Sequence, residues 1–519
     1  MINDSRRCQT GSIGKLPGMS AVKNLKSKLS HIVYLGHARA VLDWDQQTQM
    51  PPGAAEARAE QSAALEKVIH NLSTDRELGE LIEQAGSELN GATIDNDDKA
   101  MLRVAKRNFD RAMKIPEALA VEEVRVTSLA HEVWVNARKN NDFKSFLPSL
   151  QKIVEIQQKK AECVGYEDHP YDALMDPFEP GMKSAEVDEI FGKLRPELVR
   201  LVREIKDSGV KVDDEIMKRS YPVETQKKVT DDLVRRIGYD FSHGRQDQAA
   251  HPFCTSFSSL DVRITTRFNE HHLPGSVFAS MHETGHALYE LGFPREWVGS
   301  VLAGGASLGF HESQSRMWEN QVGRSREFIQ YYFPTLQKAF PDALGDVNVE
   351  QFYRAANCVK PSLIRVEADE VTYALHIMLR YELEKGMIAG TVELAKLPEI
   401  WNAKMEEYLG IVPDSDANGV LQDVHWSAGI LGYFPTYALG NLIAAQLWEK
   451  ILVAIPDLYD QISRGEFTDL LNWLRKNVHA HGCKYFPGEL IKKITGQPID
   501  PMKHVAYLRK KFGEVYGLN

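Results

Sequence analysis

Apolar residues recur at helical spacing over most of this chain, and one stretch breaks the pattern. From residue 21 to about 160 the sequence favours helices: Ala54-Ala55-Glu56-Ala57-Arg58-Ala59-Glu60-Gln61 is built of strong helix formers behind Pro51-Pro52-Gly53. Ile115-Pro116-Glu117-Ala118 opens a long run through Leu129 and Trp134, with proline where a first helical turn tolerates it. After a turn-rich segment at 171–182, helical periodicity returns over about 184–206, and Gly209 with Asp213-Asp214 marks a surface loop at 208–215. The exception is Leu260 to Phe268, where β-branched residues alternate with polar ones. That period of two predicts a strand, its edge either open to an extended peptide or lost in a half-buried ribbon.

Just beyond it, Pro274-Gly275-Ser276 predicts a loop ending in a serine N-cap, and Val277, Met281 and Leu288 predict one apolar helix face that stops before Gly292 and Pro294. This helix carries His282-Glu283-Thr284-Gly285-His286. Side chains four residues apart share a face, so His282 and His286 can bind one metal ion, and Glu283, about 100° round, can take a proton from a water there. The pattern fits the metal helix of a zinc peptidase better than a buried helix whose histidines serve only core hydrogen bonds.

Composition narrows the field. At 519 residues, 43% apolar and 26% charged, the chain can fill two to four domains or one large helical body. A net charge of −10 without a basic block argues against nucleic acid as a partner. No apolar run reaches membrane-spanning length; the best, Leu442 to Trp448, is broken by Gln446. The first 28 residues are basic and lack the apolar core of a secretory signal; residues 1–20 are expected to form a disordered tail ahead of a catalytic body over 21–519. The five cysteines, Cys8, Cys163, Cys254, Cys358 and Cys483, show no paired spacing, which suits a reducing, cytoplasmic setting and leaves no rival zinc site.

A catalytic zinc needs a third protein ligand and an open position. Gly304 to Gln314 reads as a loop entering a second helix, where His311 and Glu312 both have suitable chemistry. Adjacent helical residues point about 100° apart, so one of them faces the metal, and spacing does not choose which. Ile364 to Glu370 sets Arg365 among acids in a helical pattern. Arg365 can grip a peptide's terminal carboxylate, or spend itself on an i,i+4 ion pair with Asp369. Farther on, His425, Tyr433 and Tyr437 are candidate donors to an oxyanion, each also readable as a packed core side chain.

Taken in order, six motifs resemble the carboxypeptidase Taq family of zinc metallocarboxypeptidases. They are His251-Pro252-Phe253, Asp261-x-Arg263-x-Thr265, His282-Glu283-x-x-His286, His311-Glu312-Ser313-Gln314, Ile364-Arg365-x-x-Ala368-Asp369 and Gly419-x-x-Gln422-Asp423-x-His425-Trp426. Leu42-Asp43-Trp44-Asp45 with Met50-Pro51 extends the likeness to the N-terminal region. The resemblance implies a mainly α, single large helical body with a long central groove and a small β-sheet, similar to the neurolysin and angiotensin-converting-enzyme group. It implies a homodimer, one zinc ion per chain (cobalt being an alternative), and peptide substrates with a free C-terminal carboxylate. It selects Glu312 as third ligand beside His282 and His286, assigns Arg365 to the substrate carboxylate together with a tyrosine, preferably Tyr437, and places Asp261, Arg263, Gln422 and Tyr433 on the substrate side. Arg316 stands where a thermolysin-like pattern has the acid that orients a ligand histidine, so that acid must come from elsewhere. The expected activity is release of single residues from peptide C-termini, with Glu283 as general base and His425 or Tyr437 supporting the oxyanion. The rivals are an oligopeptidase or dipeptidyl carboxypeptidase, and a catalytically silent peptide-binding scaffold.

Overall fold

Helices dominate the computed structural model, which describes residues 20–518. The expected tail lies outside the described residues except for Ser20, whose hydroxyl accepts the Lys23 N–H and caps the helix Ala21–Thr48. The helices expected from composition are present as Ala55–Ser73, Glu117–Asn140 and Ser184–Asp207. The turn-rich segment contains one short buried helix, Pro170–Met175, tied to the next long helix because Asp172 accepts the Ser184 N–H at 2.7 Å.

One large apolar core gathers side chains from Val126 to Tyr516. A smaller cluster packs Val22, Leu25, Leu78 and Met101 of the N-terminal helices against Trp297 and Leu302. The apolar run Leu442 to Trp448 is the buried middle of the core helix Pro435–Ala454. Among the described residues no single helix is long and apolar enough to cross a membrane. The one pair passing jointly, Pro435–Ala454 with Leu458–Arg464, is bent by 95°.

The sheet has three strands, β1 (Gln246–Gln248), β2 (Cys254–Ser258) and β3 (Asp261–Thr266), in the order β1-β3-β2. β3 is the strand expected from the alternating pattern, but it is central: β1 pairs with it parallel and β2 antiparallel. Both of its edges are taken, so it has none to offer a peptide. Its inward side chains, Val262 and Ile264, pack with Val234, Tyr239 and Ala287, which seats the sheet on the metal helix. The outward ones, Asp261 and Arg263, pair with each other at 2.9 and 3.0 Å, and the guanidinium lies 4.4 Å from the Trp44 ring and 4.7 Å from that of Phe257.

The metal helix spans Pro274–Glu290, one turn earlier at its start than expected. Proline at the first position gives up an N–H that has no helical partner there, and Ser276, instead of capping, bonds Gln226 and the Leu273 carbonyl. Two glycines let three helices converge on the site. A Cβ on Gly285 would stand 2.5 Å from Ser315 Cα and 2.6 Å from the Gln314 carbonyl oxygen, so the metal helix can cross the helix Leu308–Arg316 this closely only with glycine. A Cβ on Gly440, in Pro435–Ala454, would meet Glu312 Cγ at 2.5 Å.

Candidate active site

His282, His286 and Glu312 meet with one ligand atom each, all within 4.8 Å of one another. The Nε2 atoms of both histidines lie 3.5 Å from Glu312 Oε2. A tetrahedral ion with bonds of about 2.0–2.1 Å spaces its ligands roughly 3.3 Å apart, so this separation fits a zinc-sized ion. The outer face of each ligand is engaged. His282 Nδ1 bonds Glu319 Oε2 at 2.9 Å, and His286 Nδ1 bonds His311 Nδ1 at 2.7 Å. His311 Nε2 bonds Glu290 Oε1 at 2.7 Å, which places the His311 proton on Nε2 and leaves its Nδ1 to accept from His286. Arg316 Nε donates to Glu312 Oε1 at 2.7 Å, while Oε2, which also accepts from Ser315 Oγ at 3.3 Å, faces both histidines. Each of the three side chains is therefore held from behind, and two imidazoles with one carboxylate are a donor set that suits zinc.

The acid missing at Arg316 is Glu319, carried on a π turn, Met317–Gly323, that continues the second helix. Such a turn re-aims side chains, and π turns recur at functional sites. Burial opposes the Glu319 charge, but Arg316 and His282 overcome it and hold the carboxyl at about 2. Glu319→Gln is expected to raise the metal dissociation constant about tenfold or more, measured by competition with a chelator.

The helix bearing Glu312 is fixed at its start by Ser307, whose hydroxyl accepts the Phe310 N–H at 3.0 Å, and by Glu179, which accepts the Gly309 N–H. Glu179 is fully buried, and burial pushes its carboxyl up to about 8. An acid raised in the folded state stabilises the fold fully below its unfolded value, about 4.3, and that contribution is lost as pH rises through about 8. Wild-type Tm should therefore fall more between pH 5 and pH 8 than the Tm of Glu179→Gln, as read by calorimetry.

Arg365 lies in a short 3₁₀ turn, Arg365–Glu367, and the following helix begins only at Tyr373. The expected helical run fails because Asp369 folds back to accept the N–H groups of Val371, Thr372 and Lys360. No Arg365–Asp369 pair forms. Arg365 instead bonds Asp423 Oδ1 through Nε at 2.9 Å and Nη2 at 2.8 Å, while Arg380 Nε donates to Asp423 Oδ2 at 2.6 Å. Two guanidiniums on one carboxylate leave a buried excess of one positive charge. Arg365 Nη1 is 3.4 Å from the Tyr373 hydroxyl, and the Tyr373 ring faces Arg316 at 4.4 Å. One tyrosine thus separates Arg365 from the arginine paired with Glu312.

Tyr433 and Tyr437 pack edge to face at 5.1 Å, Arg365 lies 5.1 Å from the Tyr437 ring, and His425 Nε2 is 3.4 Å from the Tyr437 hydroxyl. Burial, aided by Arg365, lowers His425 to about 4, so it is neutral at pH 7. Both tyrosines feel the charges of Glu312 and Arg365. Gln422 is spent on the backbone: it accepts the Arg365 N–H at 2.9 Å and donates to Leu363 and Asn418 carbonyls at 3.0 Å. The structure therefore gathers His282, Glu283, His286, Glu312, Arg365, His425, Tyr433 and Tyr437, whereas Asp261 and Arg263 are engaged with each other and with Trp44. Glu319, Arg380 and Glu179 were not singled out from the sequence. Glu319 had a legible signal, since seven residues beyond Glu312 is two helical turns; nothing in spacing announces the other two.

A sequence profile of the carboxypeptidase Taq (M32) metallopeptidases matches residues 24–512. Thermostable carboxypeptidase 1 of Thermus thermophilus is 42% identical over 508 residues, covering 96% of this chain and 99% of the relative. Carboxypeptidase 1 of Bacillus subtilis is 39% identical over 94% of this chain and 97% of its own length. The solved structure of Pyrococcus furiosus carboxypeptidase superposes with a TM-score of 0.93 at 37% identity, covering 96% of this chain and 100% of the other. The chain belongs to the carboxypeptidase Taq (M32) family and is a metal-dependent carboxypeptidase.

Proposed function

We propose that this enzyme removes one residue at a time from peptides with a free C-terminus, with broad side-chain tolerance, using a metal held by His282, His286 and Glu312. Bound there, a zinc ion would acidify a water and polarise the scissile carbonyl; cobalt could serve in the same donor set. Glu283, next in sequence to His282, takes the proton of the attacking water and returns it to the leaving amine. Arg365 pairs with the terminal carboxylate through the guanidinium edge not occupied by Asp423. Tyr437, steadied by His425 and flanked by Tyr433, donates to the carbonyl oxygen as it gains charge.

The observation that carries the exopeptidase reading is the position of Arg365. Arg365 is a buried cation joined to Glu312 through Tyr373 and Arg316, and a terminal carboxylate paired with it would set the cut close to that end. Oligopeptidase, dipeptidyl carboxypeptidase and silent-scaffold readings are not favoured, since the relatives are named as carboxypeptidases. Residues 21–519 are read as one catalytic domain, supported by a core that joins residues from Val126 to Tyr516 and by an N-terminal cluster that packs on Trp297 and Leu302. A homodimer and a cytoplasmic setting complete the proposal. Elemental analysis of the purified protein, followed by chelation and reconstitution, tests the metal: zinc should restore turnover to the chelated enzyme, and restoration only by another ion would overturn zinc as the native cofactor.

A further inference from the structure

Residues 365–372, a strap running from the 3₁₀ turn Arg365–Glu367 to the helix Tyr373–Ala389, and the π turn that carries Glu319 face each other across a polar cavity of about 210 Å³, lined in part by Arg316, Glu319, Asn320, Glu367, Glu370 and Tyr373. One charged side chain bridges them from outside both. Lys511, on the C-terminal helix Pro501–Tyr516, donates to Glu370 Oε2 at 2.7 Å and to the Asn320 carbonyl at 3.1 Å. Tyr507, one turn earlier on that helix, donates to the same carbonyl at 3.3 Å. The carbonyl depends on these donors, because Ser325 N, five residues on and the partner a continued π pattern would supply, bonds Val322 instead. The pair is deeply buried, with side-chain exposures of 8% for Lys511 and 5% for Glu370.

We propose that the Lys511–Glu370 ion pair is a strut that sets two parts of the site at once, the strap holding Arg365 and the turn aiming Glu319 at His282. Asn320 adjoins Glu319, so a shift of its carbonyl moves the carboxylate that orients a metal ligand. Glu370 lies five residues beyond Arg365 and three before Tyr373, whose ring and hydroxyl face Arg316 and Arg365. Lys511 is a positioning residue and touches neither metal nor substrate. A buried pair need not add stability, since replacing both charges by neutral groups is often tolerated; a pair retained for placement shows itself in quantities that depend on geometry.

The inference rests on the roles proposed above for His282 and Arg365, and its test separates the two. Zinc affinity by chelator competition and KM for a free-acid peptide are measured for wild type, Lys511→Met, the neutral pair Lys511→Met/Glu370→Gln, and Leu508→Ala, which opens a cavity in the same helix. Lys511→Met, or the neutral pair if the single variant does not fold, should raise the zinc dissociation constant and KM about tenfold each, as for lost support of a ligand. Leu508→Ala should lower Tm and move neither. Values within twofold of wild type, or equal shifts in Leu508→Ala, would overturn the strut. If Arg365→Ala, run alongside, leaves KM unchanged, the carboxylate role fails, and zinc affinity alone decides for or against Lys511.

Discussion

Glu283→Gln is expected to keep one metal ion per chain and to lower kcat on the order of 10³-fold or more, within the range lost when a general base is removed. Glu283 is 6% exposed, and burial pushes its carboxyl up to about 7 against the pull of His282. Peptide hydrolysis requires one group to take a proton from the water and pass it to the leaving amine, and a carboxylate next to His282 is of the right kind. Glutamine keeps the shape and the helix, so His282 and His286 stay on their face, but it cannot accept the proton. Metal content by elemental analysis and kcat on the same preparation make the check. A variant within tenfold of wild type would remove Glu283 from the mechanism.

Arg365→Ala should raise KM for a free-acid peptide about a hundredfold, since truncating a buried hydrogen-bonded charge partner costs about 2–5 kcal/mol. The reason lies in the charge count. Asp423 is held well below the usual carboxylate range by Arg380 and Arg365, which overcome burial, and it neutralises only one of them. The remaining charge is unpaired until a substrate carboxylate arrives, and burial already lowers Arg380 to about 10. Asp423→Asn should weaken binding less and destabilise the fold more, because it leaves two guanidiniums buried without a partner. Steady-state kinetics on the free-acid peptide give the readout, with the matched amide left uncleaved by both wild type and variant, and an unchanged KM for the acid would reduce this arginine to a structural ion pair.

The metal helix was legible because its chemistry is local. Residues spaced four apart on one helix need no tertiary knowledge, and the stretch His282 to His286 states both ligands and the base. The third ligand was less so: spacing leaves adjacent His311 and Glu312 both competent and only the family resemblance selects Glu312, while the crossing of two helices at Gly285 turns Glu312 toward His282 and His286 and leaves His311 behind His286. The strand at Asp261–Thr266 was readable from its period, but its central place was not, since pairing with Gln246–Gln248 and Cys254–Ser258 is long-range. Arg365 misled on conformation for a local reason, as Asp369 competes for backbone N–H groups and stops a helix the pattern allowed. Its partner Asp423 is 58 residues away, beyond any periodic signal.

A metal-held site that recognises a free carboxylate should cut one residue from it. The most direct test is a mass-resolved time course on one mixed-sequence peptide, prepared as free acid and as C-terminal amide, with and without chelator. The free acid should lose residues singly and in order, the amide should stay intact, and chelation should stop the reaction until zinc is restored. Cleavage of the amide at a comparable rate, internal or dipeptide products as the first to form, or turnover that survives complete metal removal would contradict it.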